Sequence, residues 1–258
     1  MRRLILEEPF SAAAIWGRAL AAFALALAAI AILLARSGAV EATGALSVLG
    51  AAIICACLAL LLAGAGAIVV WQSGRRGLGA IVAGVFAATL VLVYPAWLAA
   101  QALRLPLLND VSTDLNDPPD FSRAGKAAAA RGGADHPSIS PEVRDLQRRA
   151  YKDVQPILLD LDIDEAWPLV QKAVAARKWR VVDEVRPGGR VGVGHLDAID
   201  KTLLMGFPED VTVRVRPLAG QTRIDVRSAS RFGRHDFGSN AARIARFSTE
   251  LQAQLDER

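Results

Sequence analysis

Three long apolar runs in the first hundred residues constrain this chain more than anything else in it. They cover about Ile15–Ala35, Ala45–Trp71 and Leu78–Leu103, each at or above the roughly 20 residues that cross a bilayer. In lipid, backbone N–H and C=O groups must be satisfied within the segment, so runs of this kind are expected as helices. A cleaved export signal has a shorter apolar core followed by polar sequence. Here two further runs follow, and the first is expected to be retained. Arg18 lies one turn inside it, within snorkelling reach of the interface. Trp16, Trp71, Tyr94 and Trp97 sit near run ends, where amphipathic rings prefer to lie. Pro95 is expected to kink the third run or to mark its approach to the interface.

Charge separates this region from the rest. Residues 1–104 carry seven arginines against three glutamates, which is the whole net charge of +4; residues 105–258 are balanced. The sequence pI near 9.4 therefore belongs to the membrane flanks. A neutral second part lacks the positive field that phosphate-backbone binding requires, and this excludes nucleic acid as an expected partner. Arg2, Arg3 and the Gly74-Arg75-Arg76-Gly77 turn lie on one side of a three-span arrangement, and Arg36 (offset by Glu41) and Arg104 on the other. Positive-inside counting puts the N-terminus in the cytoplasm and residues 105–258 outside, in the periplasm if the membrane is a bacterial inner membrane. Cys55 and Cys57 are two residues apart on one helix and point to different sides of it, so they are expected as packing residues.

Residues 105–139, LPLLNDVSTDLNDPPDFSRAGKAAAARGGADHPSI, are rich in Pro, Asp, Asn and Gly without periodicity and are expected as an extracytoplasmic linker with turns. Asp110, Ser112, Asp114 and Asn116 match alternate positions of a calcium loop. The pattern fails at Leu115, where glycine is required, and at Phe121, where a bidentate glutamate is required. Asx-turns that tie the chain down are the simpler expectation.

A folded domain is expected over 140–258. Ser140-Pro141-Glu142 opens a short helix. A second helix runs from Asp162 or Asp164 to about Arg177, with Trp167, Val170 and Val174 as its apolar stripe and Pro168 in its first turn. Strands follow at Trp179–Arg186 and Arg190–Leu196, turning at Pro187-Gly188-Gly189, then at Val211–Arg216 and Thr222–Ser228. In the second hairpin Val211, Val213, Val215, Ile224 and Val226 share one face, and Arg214, Arg216, Arg223, Asp225 and Arg227 the other. A last helix, about Ser239–Leu255, buries Ile244, Phe247, Leu251 and Leu255. The expected fold is thus a three-helix transmembrane region (1–104) plus an α+β domain, a four-stranded antiparallel sheet flanked by helices on one face.

The residues from Asp160 to Leu255 resemble the bacterial family called domain of unknown function 1499. The resemblance is carried by Phe207-Pro208-Glu209-Asp210-Val211 before a strand of alternating arginines, by Arg227-Ser228-Ala229-Ser230-Arg231, and by Gly233, Asp236, Gly238, Asn240 and Arg243-Ile244. Asn109-Asp110-Val111-Ser112-Thr113-Asp114 is similar to the segment that introduces such domains. Many members have two aspartates where this chain has Glu209-Asp210, a change that keeps the charge and lengthens one arm. Members are typically proteobacterial or from photosynthetic lineages, and some have membrane spans. The resemblance implies no established activity.

RSASRFGRHDFGSN, residues 227–240, concentrates the candidate site. Ser228 or Ser230 with His235 and Asp236 supplies the residue types of a serine hydrolase, but no nucleophile elbow is present. His136, His195 and His235 form no ligand pair, so neither metal nor cofactor is expected. Gly188-Gly189 and Gly192-x-Gly194 are expected as hairpin glycines rather than a phosphate loop. Two readings remain. In one, Arg227, Arg231 and Arg234 pair with Glu209, Asp210 and Asp236 to brace the strand-to-helix corner. In the other, the helix start at Gly238-Ser239-Asn240 with Arg231 and Arg234 receives an anion; the sheet face of Arg214, Arg216 and Arg223 either extends it or is solvated. The candidate binding set is Arg227, Ser228, Ser230, Arg231, Arg234, Asp236, Asn240, Glu209 and Asp210. The functional expectation is a membrane-held binding or interaction module of the bacterial envelope. Its partners would be the lipid bilayer and an anionic small molecule, a lipid head group or an envelope protein. The alternative is an envelope enzyme of hydrolase type using Glu209, Asp210, Arg231 and Asp236.

Overall fold

The computed structural model describes residues 8–188 and 192–257. Arg2 and Arg3 of the charge count, the Gly189 end of the first hairpin turn and the Arg190 start of its second strand lie outside the described residues. The chain divides into two compact units, one holding the apolar helices to Ala100 with Leu204–Phe207, the other holding Gln101–Leu203 and the chain from Pro208 onward.

In the first unit the three apolar runs form α1 (Ala12–Ser37), α2 (Ala42–Ser73) and α3 (Leu78–Arg104). All three are long and apolar enough to cross a membrane. α3 continues as helix through Pro95 to Arg104. Alanine and glycine make the seam. A Cβ on Gly66 would lie 2.9 Å from the Ala14 nitrogen, and one on Gly17 3.2 Å from that of Ala63; helices without bulky side chains between them approach backbone to backbone. The α2–α3 turn is tied to the segment before α1, with Ser11 N donating to Arg76 O at 2.9 Å and Arg76 N to Pro9 O at 3.3 Å. Cys55 and Cys57 are free, the latter exposed.

The second unit contains β1 (Asp110–Ser112), α4 (Gly125–Ala130), α5 (Pro141–Ala150), β2 (Ile157–Leu159), α6 (Ile163–Ala176), β3 (Arg180–Val185), β4 (Gly194–Lys201), β5 (Pro208–Leu218), β6 (Gln221–Ser230) and α7 (Ser239–Asp256). All neighbouring strands are antiparallel in the order β1-β6-β5-β4-β3, and β2 also pairs with β6. The sheet therefore has six strands, and the expected four is corrected. The two additions are three residues each, too short to show alternation. They cover the side of β6 that a four-stranded sheet would leave as an open edge. Residues 105–139, expected as extended chain with turns, contribute both β1 and α4.

One face of the sheet is apolar. Val211, Val213, Val215, Ile224 and Val226 pack with Trp167, Val170 and Val174 of α6 and Ile244, Phe247 and Leu251 of α7 in a single core. Trp167 lies so close to β4 that a Cβ on Gly194 would meet its ring at 2.6 Å. α6 begins at Ile163, so Pro168 falls in the second turn rather than the first. Its neighbours Trp167 and Leu169 are buried in the core, and that packing holds a helix that propensity alone would break.

Candidate functional site

Strand alternation decides how the candidate residues are divided. Consecutive strand residues point to opposite faces, so β6 sends Ser228 and Ser230 toward α7 and Arg227 to the other face, where Arg231 follows just past its end. β5 likewise sends Glu209 toward α7 and Asp210 away. The cluster read as one site is two networks with a sheet between them, and the carboxylates of Glu209 and Asp210 cannot act together.

On the helix side, Arg243 reaches from α7 into the sheet. Its Nε donates to Asp200 at 2.6 Å, and Nη1 donates to Ser228 Oγ at 3.0 Å and to Asn240 Oδ1 at 2.9 Å. Its Nη2 donates to Glu209. Ser230 Oγ donates to Glu209 at 2.8 Å, Ser228 Oγ to Asn240 Oδ1 at 2.8 Å, and Asn240 Nδ2 to Ser230 Oγ at 3.0 Å. Both serines are buried inside this network. Neither faces His235, whose Nδ1 accepts from Phe237 N at 3.0 Å, so no serine–histidine dyad forms among them. Asp236 occupies the start of α7, accepting from Gly238 N at 2.9 Å and Asn240 N at 3.0 Å. The helix terminus suggested as an anion seat thus already has its carboxylate. Tyr151 lies beside it, its phenol pushed up to about 12 by burial and by the nearby Asp236 charge.

On the opposite face, residues 109–139 are bound down by ion pairs. Arg227, with 1% of its side chain exposed, makes a bidentate contact with Asp110 at 2.7–3.2 Å and donates to the carbonyls of Pro119 and Pro137. Phe121 lies against its guanidinium at 5.2 Å and against that of Arg131 at 5.7 Å. Arg231 grips Asp210 through Nε and Nη2 at 2.7–3.1 Å, and His136 Nε2 meets the same carboxylate at 2.8 Å. Burial pushes the Asp210 carboxyl up, but the bonds and charges of His136 and Arg231 outweigh it and hold it below the ordinary value. Arg131 Nη1 and Ser122 N both donate to Asp197.

The arginine ladder is half-buried and paired with carboxylates. Arg214, Arg216 and Arg223 converge on Asp225, which is fully buried, and on Asp114. Asp117 pairs with Arg214 and Arg216, so three positive side chains meet three carboxylates. Asp114 Oδ1 also accepts from Asn116 N and Asp117 N, both at 3.0 Å, forming the expected Asx-turn. Although burial opposes it, those amide bonds and the charges of Arg223 and Arg214 lower the Asp114 carboxyl. No group of three or more metal-ligating side chains occurs among the described residues.

Beside Arg231 and His136 opens a cleft of about 410 Å³. Asn109, Asp110, Asp135, Ser138, Ser140 and Ser230 are among the other residues that line it. Arg234 stands apart from both networks, exposed in the β6–α7 loop. Sequence reasoning missed Asp110, His136, Asp200 and the role of Arg243. The residues of the introducing segment Asn109–Asp114 were visible as a motif, but nothing local in them points to partners more than a hundred positions away.

No curated protein matches the chain. A family model for proteins of unknown function, DUF1499, matches residues 110–251. It begins at β1 and ends within α7, so the segment that binds the polar sheet face lies inside the match. The chain belongs to the DUF1499 family.

Proposed function

We propose that the domain is a binding or interaction module held at the inner membrane of a bacterial envelope, with the N-terminus cytoplasmic and the domain periplasmic. The cleft beside Arg231 and His136 is its ligand seat, and an anionic small molecule or lipid head group is the class of occupant. One observation carries this reading: the carboxylates of Glu209, Asp210 and Asp236 already accept hydrogen bonds from neighbouring groups, while a solvent-accessible cleft adjoins the cationic residues. A hydrolytic enzyme using the same residues would need a carboxylate with spare accepting capacity or a serine next to a base. The contacts made by Glu209, Asp210, Ser228 and Ser230 supply neither.

The test is mass spectrometry of small molecules and lipids that co-purify with the full chain in mild detergent, compared with a Ser138→Trp variant. Ser138 is exposed on the cleft wall, so an indole there fills the cleft without entering the core. A species retained by the parent and lost from the variant supports the reading. Identical inventories defeat it.

A further inference from the structure

The β6–α7 loop is tied to the segment that leaves the last apolar helix. Asp236 N donates to Leu108 O at 2.8 Å, and Ser230 N to Asn109 O at 2.8 Å. Asn109 Nδ2 donates to Gly233 O at 2.9 Å. Leu105 lies over Gly238 so closely that a Cβ there would meet its Cδ1 at 2.7 Å. α3 ends at Arg104, and a chain advances at most about 3.6 Å per residue, so Asn109 lies within about 18 Å of that helix end. Where α3 crosses a bilayer, this tether keeps the loop within that reach of the surface from which α3 emerges.

What the loop exposes there fits lipid. Its other polar side chains turn inward: Arg231 to Asp210, Asp236 to the start of α7, and His235 to the Phe237 amide, with the two rings stacked at 4.7 Å. Phe232 is 46% exposed and Leu107 52% exposed, and Arg234 is exposed two residues beyond Phe232. Aromatic side chains concentrate in the interfacial layer of a membrane, and arginine at that depth binds lipid phosphate. We propose that this loop is a membrane-surface contact, with Phe232 and Leu107 in the interfacial layer and Arg234 on the phosphates of acidic lipids. The inference rests on α3 as a membrane span and does not depend on what the cleft binds.

The full chain, with Cys55 and Cys57 replaced by alanine, is labelled with bimane at Phe232→Cys or at Leu218→Cys. It is then placed in vesicles of phosphatidylcholine with phosphatidylglycerol. Leu218, the last residue of β5, is exposed and pairs with Gln221 at the start of β6, about 30 Å from the loop along the ten-residue β6. Bimane at 232 should be quenched by lipids brominated near the head group and protected from aqueous iodide, and bimane at 218 should show the reverse. Brominated phosphatidylglycerol should quench at 232 about two- to fivefold better than brominated phosphatidylcholine, and Arg234→Ser should remove that preference. Equal behaviour of the two labels overturns the proposal. So does protection of the 232 label from both quenchers, which would mean that a second copy covers the loop. A preference that is absent, or that survives Arg234→Ser, overturns the role of Arg234 and the proposal with it.

Discussion

Arg227 is a guanidinium with almost no exposed surface, and its neighbours explain how the fold tolerates it. Asp110 supplies the charge, two proline carbonyls take remaining N–H groups, and the Phe121 ring covers one side of the plane. A buried ion pair is stable when every donor is met, and breaking one by removing a partner is costly. The same holds for Asp210 and Arg231, whose side chains are 1% and 10% exposed. Arg231→Ala and Asp210→Ala should each lower the domain's unfolding free energy by roughly 3 kcal/mol, and the double variant should lose clearly less than the sum, since the two changes remove one interaction. Urea unfolding of the four proteins reads this directly; additive losses would mean that the two side chains act independently. Acid should act on the same pair. The folded Asp210 carboxyl lies below its ordinary value of 3.8, so its contribution is complete above that pH and declines as pH falls through the lower folded value. Removing the carboxylate should flatten the acid limb of the stability profile.

At the scale of elements, the sheet shows what patterning can carry. The β5–β6 hairpin and α7 follow their periodicities closely, because each buries one continuous apolar face and the alternation is written in adjacent residues. β1 and β2 leave no such trace. A strand of three residues has too few positions to alternate, and Asp110-Val111-Ser112 sits in a run whose Pro, Asp and Asn content favours turns. What recruits it is the register opposite Arg227, Ser228 and Ala229, set by contacts remote in sequence. The site shows the same division. The residue types of the brace are legible between 227 and 240, but the face each one takes follows from strand register, and Asp110 and His136 are partners that only the tertiary fold brings near. Gly194 is a second case, since its glycine reads as hairpin chemistry while its place under the Trp167 ring calls for a residue without a side chain. Gly194→Ala should destabilise the domain by about 1–3 kcal/mol through overpacking, seen as a lower melting temperature. A neutral result would mean that Trp167 moves away without cost.

For the whole molecule, the three apolar helices make membrane residence a matter of composition, while sidedness rests on a few arginines. Alkaline phosphatase fused after Arg258 should be active and a fusion at Arg76 inactive, and the reverse pattern would overturn the assignment. The order in which the parts become able to fold differs sharply between the two units. α1, α2 and α3 are contiguous in sequence, and as membrane spans each can enter lipid as it emerges from the ribosome. β1 must wait for β6, and Asp110 meets Arg227 across 117 positions of chain. Loops of that length are slow to close. A nascent chain halted before β6 would leave β1 without the strand that it pairs with. The richness of the segment after α3 in aspartate, asparagine and proline then has a second use, keeping that waiting stretch hydrated and poor at pairing with other strands until the last hairpin has been made.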